Sequence, residues 1–411
     1  MKESFSPARG MMEFNPKQTI IREFLKKEIC ENYKKYGYMQ IDLPFIENID
    51  VLHHSDGGDN IKLIFNILKR GEKLNYNEPI KNIFNVADLA LRYDLTVPLS
   101  RFYAENQDNL PKPFKVFQIG PSFRADRPQR GRYRQFTQCD IDILGDTSNF
   151  CEIELIKVTC NAVSNLGFKD FVIKVNDRKV LNSLIELCGF NKSDSQNICI
   201  ILDKYDKIGY DGVLSELCLT FEPKISEKLI AIIKEIKLNG FDALIKYVPT
   251  EIFENLKEIV TVSQKISQNN YKVEFDISII RGQGYYTSTI YELYLDGMDS
   301  ACGGGGRYDT MIEKLTNIFT PAVGFSLGFE KFYTLLIENN FLPNIKDTVA
   351  LIYDNDNDFE SIDKKREELF DKYNVLAVPK SKNLKNQLLK LKENGVKFFC
   401  LNLDTTIQSI D

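Results

Sequence analysis

The segment at residues 136–143 alternates polar and apolar side chains, and this alternation most constrains how the chain can fold. Successive side chains of a β-strand point to opposite faces of the sheet. One face would hold Phe136, Gln138, Asp140 and Asp142, and the other would hold Thr137, Cys139, Ile141 and Ile143. The apolar face can pack in a core, while the first face presents an aromatic ring and hydrogen-bond acceptors. The segment therefore predicts a sheet strand with one polar, functional face.

An arginine cluster lies directly before this strand. Within eleven residues the chain holds Arg124, Arg127, Arg130, Arg132 and Arg134, with one acid nearby. A solvated run of charge is one interpretation. However, guanidinium groups match phosphate oxygens in geometry, and a flat ring can support a base. Arginines beside a polar strand face therefore suit a ligand that carries both phosphate and ammonium groups.

The other strand-like segments are short, and helices fall between groups of strands without strict alternation. Clear examples of such segments are YMQIDLPFIE, KPFKVFQIG, YKVEFDISII and TSTIYELYL. This order favours a mostly antiparallel α+β sheet over a doubly wound sheet. Residues 16–38 have apolar side chains at helical spacing and predict an amphipathic helix.

The length of 411 residues predicts two or three domains, because single hydrophobic cores seldom grow much beyond roughly 250 residues. Between about residues 168 and 262 the sequence has helical periods and few turn signals, which predicts an inserted, mainly helical module. After residue 345 the chain alternates TVALIY, a polar helix, NVLAVP, a basic helix and KFFCLNL. That β-α-β-α-β order predicts a small separate α/β domain.

Composition excludes several classes of function. A net charge of -5 argues against a broadly basic nucleic-acid coat. We find no export-type segment and no long apolar stretch, and nine scattered cysteines without a CxxC pair predict free thiols rather than zinc ligands. We therefore expect a cytoplasmic protein without a membrane partner. The two histidines are adjacent, at 53 and 54, so the chemistry must depend on carboxylates, arginines and the substrate itself.

The arginine-rich segment FRADRPQRGRYRQFTQCDID resembles motif 2 of the histidyl-tRNA synthetases, a strand-loop-strand that holds ATP and the acceptor end of tRNA. The resemblance implies contacts to ATP from Arg124, at the α-phosphate, and from Asp126, Arg132 and Phe136. It implies contacts to the tRNA acceptor end from Gln129 and Arg130.

The segment ALRYDLTVPLSRFYAEN places Asp94 and Thr96 among apolar residues. Read by itself, this pair is equally compatible with a helix cap. The segment is similar to the one that binds the α-ammonium of histidine in the family. The resemblance therefore implies an amino-group site made by Asp94, Thr96 and Gln138.

The segment IIRGQGYYTSTIYEL is similar to the histidine-specific signature of the family. The resemblance implies that Arg281 approaches the α-phosphate and that Tyr285 and Tyr286 lie in the histidine pocket. There Tyr286 and Asp142 would bracket the imidazole, because a phenol and a carboxylate can together satisfy both ring nitrogens.

The resemblance extends over nearly the whole chain. GGGGRYD continues the histidine signature, PAVGFSLGFEKF is similar to motif 3, and YGYMQIDLPFIE is similar to the dimer-forming motif 1. The implied architecture is the class II antiparallel sheet flanked by helices. Its catalytic domain would comprise residues 1–167 and 264–335, with a helical insertion at 168–263 and a shortened anticodon-binding-like domain at 345–411.

The implied activity is that of a histidine–tRNA ligase. The histidine carboxylate would attack the α-phosphate of ATP, so no enzyme base is needed. Arg124 and Arg281 would stabilise the developing charge, with Mg²⁺ on the other phosphates. The implied partners are histidine, ATP, tRNA and a second copy of the chain.

This sequence departs from the family pattern at three places. Lys331 stands where motif 3 usually has an ATP-binding arginine, Gly284 stands where many members have aspartate, and the chain stops soon after LNLD. Two alternatives remain. One is a paralogue without aminoacylation, such as the regulatory subunit of ATP phosphoribosyltransferase, and the other is a tRNA-binding regulator. The retained Arg124, Arg281 and Asp142 weigh against both.

Overall fold

The computed structural model describes residues 5–53, 58–74, 79–280, 284–343, 346–404 and 406–410. The chain divides into two compact units. The larger contains Met1–Met11 and Leu25–Leu335, and the smaller contains Met12–Phe24 and Leu336–Asp411. Within the described ranges, no helix combines the length and apolar character that a membrane crossing needs.

The larger unit is built on two β-sheets. Its described strands are β1 (Met39–Gln40), β2 (Ile46–Asn48), β3 (Asn66–Leu68), β4 (Ala87–Leu91), β5 (Phe114–Phe123), β6 (Gln135–Leu144), β7 (Val172–Asp177), β8 (Lys272–Phe275), β9 (Thr289–Tyr294), β10 (Gly303–Arg307) and β11 (Ala322–Gly328). The main sheet has the order β1-β5-β6-β11-β10-β9-β7-β8, and β2-β4-β3 form a small antiparallel sheet.

Antiparallel pairing runs through the centre of the main sheet. From β5 across to β7 every neighbouring pair is antiparallel, while the outer pairs β1–β5 and β7–β8 are parallel. The predicted α+β class with a mostly antiparallel sheet is therefore confirmed. The strands β7 and β8, on either side of the predicted insertion, both lie in this sheet.

Helices flank the sheet and fill the insertion. Up to residue 338 the described α-helices are α1 (Pro16–Lys35), α2 (Ile49–His53), α3 (Thr96–Asn106), α4 (Phe150–Asn165), α5 (Arg178–Cys188), α6 (Ser195–Leu202), α7 (Tyr205–Thr220), α8 (Pro223–Asn239), α9 (Phe241–Leu244), α10 (Thr250–Ile266), α11 (Thr310–Thr316) and α12 (Phe329–Glu338). Short 3-10 turns lie at Gly58–Leu63, Gly71–Lys73, Ile83–Asn85, Gln107–Asn109 and Lys192–Asp194.

Helix α1 shows how sequence periodicity produces these elements. Leu25, Ile29 and Tyr33 recur every four residues and are fully buried. Pro16 occupies the first helical position, where its missing N–H costs nothing. The predicted helix at 16–38 is therefore confirmed, and Gly37 follows its end with a positive φ of 81°.

Strand β10 has an unusual composition, with four successive glycines in the middle of the main sheet. Glycine is normally depleted in strands, so propensity would not predict one here. The structure shows why glycine is needed. A Cβ at Gly305 would lie 2.0 Å from the carbonyl oxygen of Gly324, and a Cβ at Gly306 would lie 2.5 Å from that of Thr289.

The smaller unit contains an α/β sheet. Its described elements are β12 (Thr348–Tyr353), α13 (Phe359–Phe370), β13 (Asn374–Pro379), α14 (Leu384–Glu393), β14 (Phe398–Leu401) and β15 (Gln408–Ser409). Strands β13, β12 and β14 pair in parallel, and β15 closes the edge antiparallel. The predicted β-α-β-α-β order is confirmed, with Ala350, Ile352 and Phe399 in its core.

Candidate functional site

A cavity of about 220 Å³ lies on the main sheet where β6, β10 and β11 are neighbours. Its lining brings together residues from five separate stretches of sequence. The predicted site residues found there are Asp94, Thr96, Arg124, Phe136, Gln138, Asp142, Tyr285 and Tyr286. The lining also includes residues without a predicted role, namely Asp140, Ala301, Cys302, Gly303, Gly304, Gly305, Gly306, Tyr308, Gly324, Phe325, Ser326 and Gly328.

Strand β6 provides the polar floor, as its alternation predicts. Gln138, Asp140 and Asp142 line the cavity, and each is at most 8% exposed. Their partners on β11 are Gly328, Ser326 and Gly324 in that order. A Cβ at Gly324 would lie only 1.9 Å from Oδ1 of Asp142. Glycine in β11 therefore leaves the space that this carboxylate occupies.

Asp142 is held by a tyrosine that the sequence analysis did not assign. The hydroxyl of Tyr308, directly after β10, donates to Oδ1 of Asp142 at 2.7 Å. Oδ2 is buried without a hydrogen-bond partner among the described residues. Burial, together with the nearby charge of Asp140, raises the pKa of Asp142 well above its usual value. The free acceptor suits an N–H donor of a ligand.

Tyr285 and Tyr286 form an aromatic wall of the same cavity. Their ring centroids lie 4.7 Å apart, and Tyr285 also meets Tyr308 edge to face at 6.4 Å. Burial raises the pKa of the Tyr285 phenol well above its usual value. These phenols therefore stay neutral and can act as hydrogen-bond donors beside the carboxylates. The GRYD sequence after the glycines was the signal that could have identified Tyr308.

Asp94 combines the two roles that its sequence context left open. It lies just before α3, and its Oδ1 accepts the backbone N–H of Val97 at 3.1 Å, as a residue at a helix start does. Its Oδ2 is buried without a partner in the described part of the chain. Burial raises its pKa to about 6, although Arg124 acts in the opposite direction. Thr96, the first residue of α3, lines the cavity beside it.

Arg124 supplies the cationic side of the cavity from the end of β5. Its Nε donates to the carbonyl oxygen of Tyr93 at 2.8 Å. Its guanidinium carbon lies 5.2 Å from the ring centroid of Phe136, within cation–π distance. One face of the cavity therefore combines a positive charge with an aromatic ring, and the opposite face is acidic.

A further arginine, Arg92, was missed by the sequence analysis. It is 1% exposed and donates through Nε to the carbonyl of Pro121 and through Nη1 to that of Leu43, both at 2.8 Å. Burial lowers its pKa. A Cβ at Gly120 would lie 2.5 Å from its Nη2. Arg92 therefore ties the segment that carries Asp94 to β5 and to the chain after β1.

The loop between β5 and β6 holds four predicted residues outside the cavity lining. Arg132 pairs with Asp126, with Nη2 and Oδ2 2.9 Å apart. Gln129 forms a β-bridge with Arg132, and Nη1 of Arg130 donates to the carbonyl of Gly297 at 2.9 Å. In the structure these side chains are engaged within the loop or with the β9–β10 turn.

Two further predicted residues require separate comment. Lys331, on α12, also lies outside the cavity lining. Its Nζ donates to Oγ of Ser300 at 2.7 Å and to the carbonyl of Ala301. Both partners belong to the β9–β10 turn that also receives Arg130. Arg281 lies outside the described residues.

The electrostatics of the cavity favour a cationic, N–H-rich ligand. Three buried carboxyl groups share it, and burial raises the pKa of each, to about 6 for Asp94 and about 7 for Asp140. Oε1 of Gln138 is a third acceptor buried without a described partner, beside Oδ2 of Asp94 and of Asp142. Across the described ranges, no group of three or more histidine, cysteine or acidic side chains is arranged to hold a metal ion.

Comparison with known proteins gives a consistent family. A family model described as histidyl-tRNA synthetase matches residues 10–332. The histidine–tRNA ligase of Leifsonia xyli subsp. xyli is 37% identical over 375 residues, which span 86% of this chain and 85% of that relative. The histidine–tRNA ligase of Cytophaga hutchinsonii is 35% identical over 365 residues, spanning 83% of this chain and 79% of the relative.

Solved structures show the same likeness in three dimensions. A histidyl-tRNA synthetase from Nostoc sp. PCC 7120 superposes with a TM-score of 0.76 at 25% identity, covering 97% of this chain and 91% of that one. A Bacillus halodurans protein, described as an ATP phosphoribosyltransferase regulatory subunit/histidyl-tRNA synthetase, has a TM-score of 0.78 at 18% identity, covering 99% and 100%. At that identity the second likeness concerns the fold alone.

Proposed function

The chain belongs to the histidyl-tRNA synthetase family, and from this premise we propose that it is a histidine–tRNA ligase whose active site is the cavity on β6. It joins histidine to ATP as histidyl-adenylate and transfers the histidyl group to histidine tRNA. The observation that supports this site best is the trio of unpaired acceptors in the cavity, on Asp94, Gln138 and Asp142, facing the cation of Arg124.

Histidine binding uses the acidic side of the cavity. The α-ammonium group is assigned to Asp94, Thr96 and Gln138, since two buried acceptors and a hydroxyl can receive its three N–H groups. The imidazole is assigned to Asp142, with Tyr285 and Tyr286 as its aromatic neighbours. A buried carboxylate that lacks an N–H partner penalises side chains without an N–H donor, which provides specificity.

Activation takes place at the α-phosphorus of ATP. The histidine carboxylate oxygen forms a bond to phosphorus, and the bond to the β-phosphate oxygen breaks, so pyrophosphate leaves. Arg124 stabilises the negative charge on the phosphoryl oxygens as it reorganises, and Arg281 is proposed as the second cation. The terminal ribose hydroxyl of tRNA then attacks the histidyl carbonyl, and AMP leaves.

ATP binding is assigned to Phe136 as a platform for adenine, with Asp126, Arg132 and Lys331 around the nucleotide. The Asp126–Arg132 pair and the Lys331–Ser300 contact would rearrange to admit it. Magnesium is proposed to arrive with the phosphates as MgATP, because the described residues form no cluster suited to hold it. No step of this mechanism depends on a protein-bound metal.

The acceptor end of tRNA is assigned to the exposed loop residues Gln129 and Arg130. The unit at 345–411 is proposed to contact the anticodon. We propose a homodimer, supported by the exposed apolar residues Met39, Phe45 and Ile46 around β1 and β2. A cytoplasmic location is supported by the nine cysteines, all within the described residues and all free thiols.

Histidine-dependent exchange of labelled pyrophosphate into ATP tests the proposed function. The purified chain should catalyse this exchange and should charge histidine tRNA. Exchange without charging would limit the proposal to the activation step. A folded chain with neither activity would contradict the proposal and favour a paralogue that has lost aminoacylation.

A further inference from the structure

The side chain of Gln138 has two chemically different ends, and only one of them suits an ammonium group. The oxygen of the amide accepts hydrogen bonds, whereas its nitrogen donates them. In the structure Oε1 is buried in the cavity without a described partner. Nε2 donates to Oγ of Ser326 at 3.1 Å and to Oδ1 of Asp140 at 3.4 Å. The acceptor end is therefore left for the ligand.

Of these two contacts, only the one to Asp140 can define the orientation of the amide. The hydroxyl of Ser326 can donate or accept, so it would satisfy either end of Gln138. An ionised aspartate accepts only, and it would repel Oε1 if the amide were reversed. Asp140 lies two residues from Gln138 on the same face of β6 and opposite Ser326 on β11.

The surroundings of Asp140 keep this contact dry and charged. Its side chain is 3% exposed, so water competes little for Nε2. On its other side it pairs with Gln118 of β5, whose own Nε2 donates to the carbonyl of Leu95 at 3.2 Å. The cations of Arg124 and Arg92 favour its ionised form, while burial and Asp94 oppose it. A bound ammonium group would add to the favourable side.

We propose that Asp140 is a positioning residue for histidine binding, which orients the Gln138 amide so that Oε1 faces the α-ammonium group. This proposal rests on the proposed function but adds a residue to it. Asp140 acts through Gln138 and does not itself contact the ligand. Without it, the amide can turn its N–H groups toward the ammonium, which removes an acceptor and places donors against donors.

The first experiment replaces Asp140 by its isostere in the full chain. In pyrophosphate exchange, Asp140→Asn should raise the KM for histidine by roughly tenfold or more, the factor expected for loss of a charge-assisted hydrogen bond. The KM for ATP should stay within about twofold of wild type, since the substitution does not touch the nucleotide side. Asp177→Asn is the matched control, a buried carboxyl of the same sheet outside the cavity lining, and it should leave both KM values unchanged.

A second pair of variants separates orientation from direct contact. In the Asp140→Asn background, the new side-chain amide can donate to a glutamate placed at position 138, whose other oxygen would still accept from the ammonium. The double variant Asp140→Asn/Gln138→Glu should therefore recover most of the lost histidine affinity. Ser326→Ala, which leaves Asp140 in place, should raise the KM for histidine by less than about threefold.

The outcomes distinguish this inference from the proposed function. Calorimetric titration with histidine accompanies the kinetics, and circular dichroism checks the fold of each variant. An active wild type with an unchanged histidine KM in Asp140→Asn would overturn the role of Asp140 alone. Failure of the double variant to recover, or an equal loss in Ser326→Ala, would also overturn it. A wild type that binds histidine but lacks exchange would contradict the proposed function, and calorimetry on the same variants would still test the orientation.

Discussion

Arg124 enters the cavity already aligned, because its Nε is fixed to the carbonyl of Tyr93 at 2.8 Å and its guanidinium lies near Phe136. A cation held in place needs little reorganisation when negative charge develops beside it. This is the arrangement expected of a group that acts in the transition state. The opposite wall carries the buried carboxyls, so the two ends of an amino acid and a nucleotide meet between opposite charges.

The first prediction concerns Arg124. Arg124→Ala should reduce kcat/KM for pyrophosphate exchange by roughly 30-fold to 1,000-fold, corresponding to about 2–4 kcal/mol of transition-state stabilisation. Arg127→Ala is the matched control, since Arg127 is exposed and outside the cavity lining, and it should retain wild-type exchange. Equal rates in the two variants would exclude Arg124 from the chemistry.

The second prediction concerns the cost of burying Asp94. Its folded pKa of about 6 is above the ordinary value of 3.8, so the folded state holds the proton more tightly than the unfolded chain does. Stability from this group is present below about pH 4 and is lost as the pH rises to about 6. Asp94→Asn should therefore stabilise the ligand-free protein at pH 8 by on the order of 3 kcal/mol.

Melting temperature measured from pH 4 to pH 8 tests this prediction. Wild type should lose stability across that range relative to Asp94→Asn, while the exposed control Asp371→Asn should follow wild type. Saturating histidine should raise the melting temperature of wild type but not of Asp94→Asn. A variant less stable than wild type at pH 8 would show that the carboxylate is stabilising in the free protein.

At the scale of elements, the β9–β10 hairpin is the structure that most needs explanation. Its second strand is nearly all glycine because its neighbours approach closely on both sides, as the 2.0 Å and 2.5 Å Cβ distances at Gly305 and Gly306 show. Its turn receives the cations of Arg130 and Lys331. One hairpin thus provides both a wall of the cavity and an anchor for two proposed ligand-binding side chains.

The third prediction concerns this anchor. Lys331→Arg should lower the KM for ATP by roughly fivefold, because a guanidinium can stack on adenine and form paired hydrogen bonds that an ammonium cannot. The KM for histidine should not change. Lys257→Arg, an exposed position on α10, is the control. An unchanged KM for ATP would mean that the site is adapted to lysine.

At the scale of the whole molecule, activation and tRNA recognition are assigned to different units. The fourth prediction is that reversing the exposed charges of α14, through Lys385→Glu, Lys390→Glu and Lys392→Glu together, leaves pyrophosphate exchange unchanged. The KM for tRNA in charging should rise by at least roughly tenfold, and its salt dependence should weaken, because phosphate contacts release counterions. If charging is unaffected, α14 does not contribute to tRNA binding.

The fifth prediction concerns the proposed homodimer. Sedimentation should give about twice the chain mass of 47.4 kDa. Ile46→Glu should shift the protein toward monomer, since Ile46 is 48% exposed on β2 and a charge there would be buried by an apolar interface. Leu219→Glu, at an apolar position that is 87% exposed on α7, should not change the mass. A monomeric wild type would contradict the proposal.

The prediction of the fold succeeded where local pattern determines structure. Period-two alternation identified β6, and helical spacing identified α1 and the α/β order of the smaller unit. The strand character of β10 was not predicted, because glycine has no intrinsic preference for a strand and its role depends on neighbours distant in sequence. Arg92, Tyr308 and Asp140 were missed as site residues for the same reason.

The sequence alone determined which residue types could meet a histidine and a phosphate, because alternation and motif spacing are local properties of the chain. It also determined the class of sheet, since the order of strands and helices excludes most topologies. Only the tertiary structure decided which acceptors remain unpaired, which tyrosine holds Asp142 and which way the Gln138 amide points. Those facts depend on contacts across β6, β10 and β11, where burial removes water and leaves each polar atom to the partners that the fold provides.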